Sequence, residues 1–199
     1  MEEKKYKLSY TAGALLLHES VIAVETYFEV GDWTKTKKML IDENRLQMRM
    51  ESSTRRIGGE VIQRLKTLTD NQLSFFQTAS RRDQIAILWL SICKNYKFIA
   101  DFAIEIIREK YLRMDYMLQY NDYEIFFYNK CEWHPELESL TDSTQKKVQQ
   151  VLFKMLREAD IIDASNIILG AILSDEFIEL VKKDKKATLA VFPVPENIL

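Results

Sequence analysis

The chain has 199 residues, of which 47% are hydrophobic, 11% aromatic and 29% charged, enough apolar material to fold and enough charge to stay soluble. Its 28 Lys and Arg against 30 Asp and Glu leave a formal net charge of -2, which excludes a protein that works as a simple polycation. With only 5 Gly and 3 Pro, the composition argues against a turn-rich β-protein and for long helices joined by short connections.

In chain order, Ser9 or Thr11 can cap a first helix carrying Leu15, Val21, Val24, Tyr27 and Phe28, with His18 as a core or boundary residue among leucines. Gly31 ends it, and Asp32 caps a second helix over residues 33–42. Residues 44–49 read as a short helix leading into Ser52-Ser53-Thr54-Arg55-Arg56-Ile57-Gly58-Gly59-Glu60. There the hydroxyls offer an N-cap, while Ile57, Val61, Leu65 and Leu68 form an apolar stripe. Gly58-Gly59 sits inside the helical pattern, where it permits close helix packing. Two arginines in a first turn oppose the helix dipole, so an external anion such as a phosphate would complete the site. The plain alternative is a solvated helix end with Arg56 paired to Glu60.

Residues 70–79 form a short helix with Leu73, Phe75 and Phe76. Ser80 opens an apolar helix over residues 81–94 whose Ile85, Leu88, Trp89 and Ile92 make a buried face, and another follows over residues 96–111. An aromatic helix starts at Asn121-Asp122, and His134-Pro135 breaks the chain. Thr141 or Ser143 caps a long amphipathic helix to Ala159, with Val148, Val151, Leu152, Met155 and Leu156 inside. Residues 166–173 lean towards β-structure, Ser174 caps a short helix to Lys183, and residues 187–194 read as a strand. The fold class is mainly α: a compact multi-helix protein with helix-turn-helix-like elements, its C-terminal pattern compatible with a small winged-helix-like β element. The division is an N-terminal helical region over residues 1–135 and a C-terminal region over residues 136–199, or one continuous unit.

Charge is unevenly spread. Residues 34–66 hold nine Lys and Arg against four Asp and Glu, whereas residues 114–142 hold seven acids and one base. Separated signs let one face hold a polyanion while the total stays near zero. Cys93 and Cys131 are too few for a disulfide framework and read as reduced thiols, which with the absence of a signal-peptide pattern points to the cytoplasm. The longest uncharged apolar windows are about half of the roughly 20 residues that a membrane span needs.

The search for catalytic chemistry finds neither a phosphate-loop nor a dinucleotide-binding motif. Cys131-x-x-His134 is half of a zinc spacing with no second pair, so no metal and no cofactor is expected. Asp101 and Glu105, with Arg108 nearby, read as an ordinary ion-pair lattice. Three basic helix starts stand out instead: Thr54-Arg55-Arg56, Ser80-Arg81-Arg82 and Ser143-Thr144-Gln145-Lys146-Lys147. Each places a hydroxyl residue before a cationic pair, the donor set that contacts phosphate oxygens. Arg55, Arg56, Arg81, Arg82, Lys146 and Lys147 are therefore the candidate contacts, with Arg64 and Lys97 as weaker ones. The helices on either side of Asn95-Tyr96 are also compatible with a helix-turn-helix. The run Lys182-Lys183-Asp184-Lys185-Lys186 is either a fourth patch or edge protection.

With those residues in hand, the chain resembles the BrxA family, a component of bacterial BREX phage-defence systems. The matching positions are Ser9-Tyr10-Thr11-Ala12-Gly13, Leu16, Glu19-Ser20, Trp33, Asn44-Arg45-Leu46-Gln47-Met48-Arg49, Ser53-Thr54-Arg55-Arg56, Leu65, Asp101-Phe102, Ser143-Thr144, Lys147, Val151-Leu152-Phe153 and Leu156-Arg157-Glu158-Ala159. It departs at Gln145, where a basic residue is usual, and at Asp160, where a glycine is common. The resemblance implies a mostly helical protein with affinity for double-stranded DNA, acting beside other BREX subunits. No membrane association and no small-molecule substrate is expected, although family members have been labelled membrane proteins. The alternative is an adaptor that assembles other defence subunits, presenting Tyr116, Tyr120, Tyr123, Phe126, Phe127 and Trp133 to a partner. An RNA-binding variant stays open, because phosphate contacts alone do not choose between polymers.

Overall fold

Local capping chemistry sets several helix boundaries in the computed structural model, which describes residues 5–8, 13–184 and 188–199. Helix α1 (Leu17–Val30) closes at Gly31, whose φ of 68° suits a residue without a Cβ. The expected caps Ser9 and Thr11 lie outside the described residues, and His18 is exposed rather than packed among leucines. Helix α2 (Trp33–Asp42) starts where Asp32 accepts the Lys35 N–H at 2.8 Å. Helix α4 (Asp70–Thr78) has a capping box between Thr69 and Gln72.

The stretch before helix α3 (Glu51–Leu65) departs from expectation. Residues 44–49 are a turn, not a helix, with Asn44 and Gln47 at φ of 46° and 52°. The Asn44 amide explains this: it accepts the Met48 N–H at 3.1 Å and donates to the Met48 carbonyl at 3.0 Å, a local alternative to helical bonding. The N-cap of α3 is Met50, without a side-chain bond, and Glu51 occupies the first turn. Arg55 and Arg56 thus fall in the second turn, where the dipole opposes them less. Thr54 points inward, buried and bonded to Asn44.

Helix α5 (Arg81–Asn95) runs through the centre, with every residue from 86 to 93 buried. Its Trp89 indole donates to the Val191 carbonyl at 2.9 Å. Helix α6 (Lys97–Phe102), a π-helical segment (Ala103–Arg108) and α7 (Glu109–Leu112) follow as one continuous helical run. Helices α8 (Tyr120–Cys131), α9 (Pro135–Glu138), α10 (Asp142–Glu158) and α11 (Asp175–Lys182) complete the order. The cap of α10 is Thr141, and Pro135 sits in the first turn of α9.

The winged-helix-like β element is absent from the described residues. They hold only two isolated bridges, Met117 with Ile167 and Ile162 with Ile168. Ala187 lies outside the described residues, and the rest of the expected strand is a 3-10 turn over Leu189–Val191. Thr188 caps that turn, Trp89 takes the Val191 carbonyl, and Pro193 and Pro195 interrupt any ladder beyond it.

Long-range polar bonds hold the N-terminal segment. The Tyr6 N–H donates to Glu136 at 2.6 Å, its hydroxyl to Asp101 at 2.6 Å, and its ring stacks on His134 at 3.8 Å. The Leu15 N–H donates to Glu158 at 2.6 Å. Arg64, only 2% exposed, donates to Glu60 at 2.7 Å and to the carbonyls of Ala14 at 2.7 Å and Leu15 at 3.4 Å. Glu60 also accepts the hydroxyl of buried Tyr96, whose phenol is held well above its ordinary range by burial and by that carboxylate. A second buried pair, Lys94 with Asp184 at 2.7 Å, ties α5 to the end of α11.

Arg64→Ala strands a buried carboxylate and should cost about 3–5 kcal/mol in urea denaturation. A Cβ at Gly59 meets nothing within 4 Å, so Gly59→Ala should raise stability by about 0.5–1 kcal/mol, read as a higher melting temperature.

Candidate nucleic-acid interface

The eight candidate cations fall into three environments. Arg64 belongs to the interior knot with Glu60 and cannot present its guanidinium to a ligand outside. Lys97 is 54% exposed but its ammonium lies 2.5 Å from Asp101, which also holds Tyr6. Arg64 therefore leaves the contact set, and Lys97 stays a weaker candidate held by its ion pair. The acids near them do form the expected lattice, with Lys97 and Lys130 as the main cations: Lys130 meets Glu105 at 2.6 Å.

Arg55 is 62% exposed and bonds Glu51 one turn earlier, its Nε at 2.9 Å. An exposed pair of this kind is worth only about 0.3–0.5 kcal/mol, so a phosphate could displace it. Arg56 is also exposed, and the expected Glu60 partner is instead engaged with Arg64 and Tyr96.

Arg81 and Arg82 open α5, both exposed, and neither forms an ion pair or side-chain hydrogen bond with any described residue. The Ser80 hydroxyl is used within the helix, accepting the Asp83 N–H at 3.2 Å and donating to its carboxylate at 2.9 Å. Phosphate contact at this start would come from the guanidinium groups, not from the serine. Two cavities flank the pair. One of about 330 Å³ is lined by Arg82, Ile85, Asp160, Leu169, Ile172 and Phe192. The other, of about 510 Å³, is lined by Arg81, Ile85, Glu19, Arg157, Glu158 and Asp160. Asp160 stands between them with a φ of 54°, in the left-handed region that favours glycine.

Lys146 and Lys147 lie in the second turn of α10, exposed and without an ion pair among the described residues. The same side of the helix carries two cations that the reading of helix starts missed. Lys154 is exposed with Glu158 at 3.6 Å, and half-buried Arg157 donates to Asn166 at 2.6 Å and lies over the Phe153 ring. The spacing Lys147, Gln150, Lys154, Arg157 is visible in the sequence once the helical period is followed to the C-terminal end.

The arrangement joins some of these groups and separates others. Arg157 and Arg81 line one cavity, so a cationic track runs from α10 to the start of α5, with Glu19, Glu158 and Asp160 beside it. Lys147 lies ten residues before Arg157, roughly 15 Å along the helix. Gln63 bonds Asn95 at 3.1 Å and Thr67 bonds the Ser91 carbonyl at 3.4 Å, so α3 and α5 run antiparallel. Arg55 and Arg56 therefore stand at the opposite end from Arg81 and Arg82, roughly 30 Å away along the pair.

Other chemistry is sparse. The described residues contain no group of three or more His, Cys, Asp or Glu placed to hold a metal ion, and no helix among them is long and apolar enough to cross a membrane. His134 is buried against Tyr6 and bonded to Glu136 at 3.0 Å. Burial pushes the thiols of Cys93 and Cys131 up from their usual range, which disfavours the thiolate.

Comparison with known proteins agrees with this fold. A solved structure of an uncharacterized protein from Magnetospirillum magneticum superposes with a TM-score of 0.75 at 20% identity, covering 90% of this chain and 93% of that one. A BREX protein BrxA of Bacillus cereus is 29% identical over 163 residues, 80% of each chain. A BREX protein BrxA of Escherichia coli is 24% identical over 151 residues, 76% of this chain and 71% of that protein. A family model described as BrxA matches residues 4–185, and the chain belongs to the BrxA family.

Proposed function

We propose that this chain is a non-catalytic, duplex-DNA-binding component of a BREX phage-defence system. Membership of the BrxA family, with relatives named as BREX proteins, supports the system. The observation that carries the DNA reading is the cationic track of Arg81, Arg82, Lys146 and Lys147, which are exposed and free of acid partners among the described residues. Arg55, Arg64 and Lys97 are paired with Glu51, Glu60 and Asp101, whereas these four form no ion pair among the described residues. Lys154 and Arg157 extend the track, and Arg55 with Arg56 offer a separate, weaker contact.

Neutralising about six phosphates gives a slope near -5 for log K against log salt. Arg81→Ala with Arg82→Ala should weaken binding to all duplexes alike and flatten that slope by about two; Arg55→Ala with Arg56→Ala should change it less. Salt titrations on two unrelated DNA duplexes check this, with duplex RNA as competitor to separate the polymers. An unchanged slope in the Arg81 and Arg82 variant would remove this track from the interface.

One observation favours a second role as an adaptor. Tyr128 is 64% exposed and Trp133 73%, whereas Tyr123, Phe126 and Phe127 of the same region fill the core. Exposed aromatics of that size beside Glu124 and Glu132 suit a protein partner rather than DNA. Tyr128→Ala with Trp133→Ala should leave the salt slope unchanged and abolish co-elution with other BREX subunits in size-exclusion chromatography.

A further inference from the structure

The geometry points to α10 as a groove-reading helix, with Gln150 as the residue that contacts a base edge. This inference rests on the DNA reading above and adds sequence discrimination to backbone docking. Exposed Lys146, Lys147, Gln150 and Lys154 and half-buried Arg157 fall on one side of α10, while Val148, Leu152, Met155 and Leu156 are buried on the other. From residue 143 to residue 157 the helix contains no acid. That charge pattern selects a polyanion as the occupant of the uncovered side.

Shape agrees with charge. The 17 residues of α10 make a rod about 25 Å long and 10–12 Å across, and the major groove is about 12 Å wide. Short α9 and the turn over residues 139–141 precede it, the spacing at which one helix crosses the backbone while the next enters the groove. The α5–α6 junction lacks that spacing, because Tyr96 alone separates Asn95 from Lys97. The reversal after α10 adds no phosphate contact either, since residues 160–173 contain neither Lys nor Arg.

Three glutamines on α10 differ in what their amides do. Gln145 donates to the Leu140 carbonyl at 3.3 Å and Gln149 to the Tyr120 carbonyl at 3.4 Å. Gln150 is exposed and makes no hydrogen bond with a described residue, midway between Lys147 and Lys154 on the cationic side. A free primary amide offers the donor and acceptor pair that matches N7 and N6 of adenine, while the neighbouring cations hold the flanking phosphates.

The test is selection by the full-length chain from duplexes randomised over about ten base pairs, one helical turn, followed by sequencing of the bound fraction. An A·T pair should be enriched at one position. Gln150→Ala should erase that preference and weaken binding to the enriched duplex by about 5- to 140-fold, leaving an unrelated duplex unaffected. Lys147→Ala should weaken both duplexes and lower the salt slope by about one. Enrichment that survives Gln150→Ala overturns the assignment of this residue. Salt-dependent binding with no enrichment, unmoved by Lys147→Ala, overturns groove insertion yet leaves backbone docking elsewhere standing. Absence of binding at low salt removes the DNA reading itself. Circular dichroism melts of these surface variants confirm that each stays folded.

Discussion

A guanidinium withdrawn from water must be surrounded by acceptors, and Arg64 gathers them from distant parts of the chain. Glu60 supplies a carboxylate one turn earlier, and the carbonyls of Ala14 and Leu15 come from the segment before α1. Tyr96, at the joint between α5 and α6, donates to the same carboxylate. The arrangement leaves one Arg64 nitrogen without a bond partner, so it is tightly but not completely satisfied. It also carries a local cost: Leu16, which caps α1, is held at φ 63°, a conformation worth roughly 1–2 kcal/mol against an L-residue. That buried charge ties the segment before α1, helix α3 and the α5–α6 joint together, alongside the apolar core between them.

The same economy explains where positive charge stays available. Within the basic segment over residues 34–66, Arg45 is held by Glu29 and Glu43, Arg55 by Glu51 and Arg64 by Glu60. Those pairs engage three of the segment's four acids, while its Lys35, Lys37, Lys38, Arg49 and Lys66 stay exposed without an ion pair among the described residues. At the candidate interface, Arg81 and Arg82 stand uncommitted at the start of α5, and Lys146 and Lys147 near the start of α10.

Features set by neighbours along the chain are legible in the amino-acid sequence alone. Asp32, Thr69, Ser80 and Ser174 each cap the helix that follows them. Features set by tertiary contact are not. Arg64 and Arg81 carry the same side chain, and only packing decides that one is interior and the other outside. Residues 187–194 have a β-like pattern, yet the Trp89 indole claims the carbonyl at Val191 and the prolines prevent pairing. The cationic side of α10 lies between these cases: its spacing is written in the sequence, but attention to helix starts alone stops at Lys147.

The bonds from Tyr6 to Glu136 and from Leu15 to Glu158 join residues 130 and 143 positions apart. During synthesis these donors emerge well before their acceptors, Glu136 and Glu158, are translated. At about 5–20 residues per second, these anchors wait roughly 7 to 30 s for their partners. Until then the nascent chain carries an amino-terminal segment whose anchoring carboxylates do not yet exist.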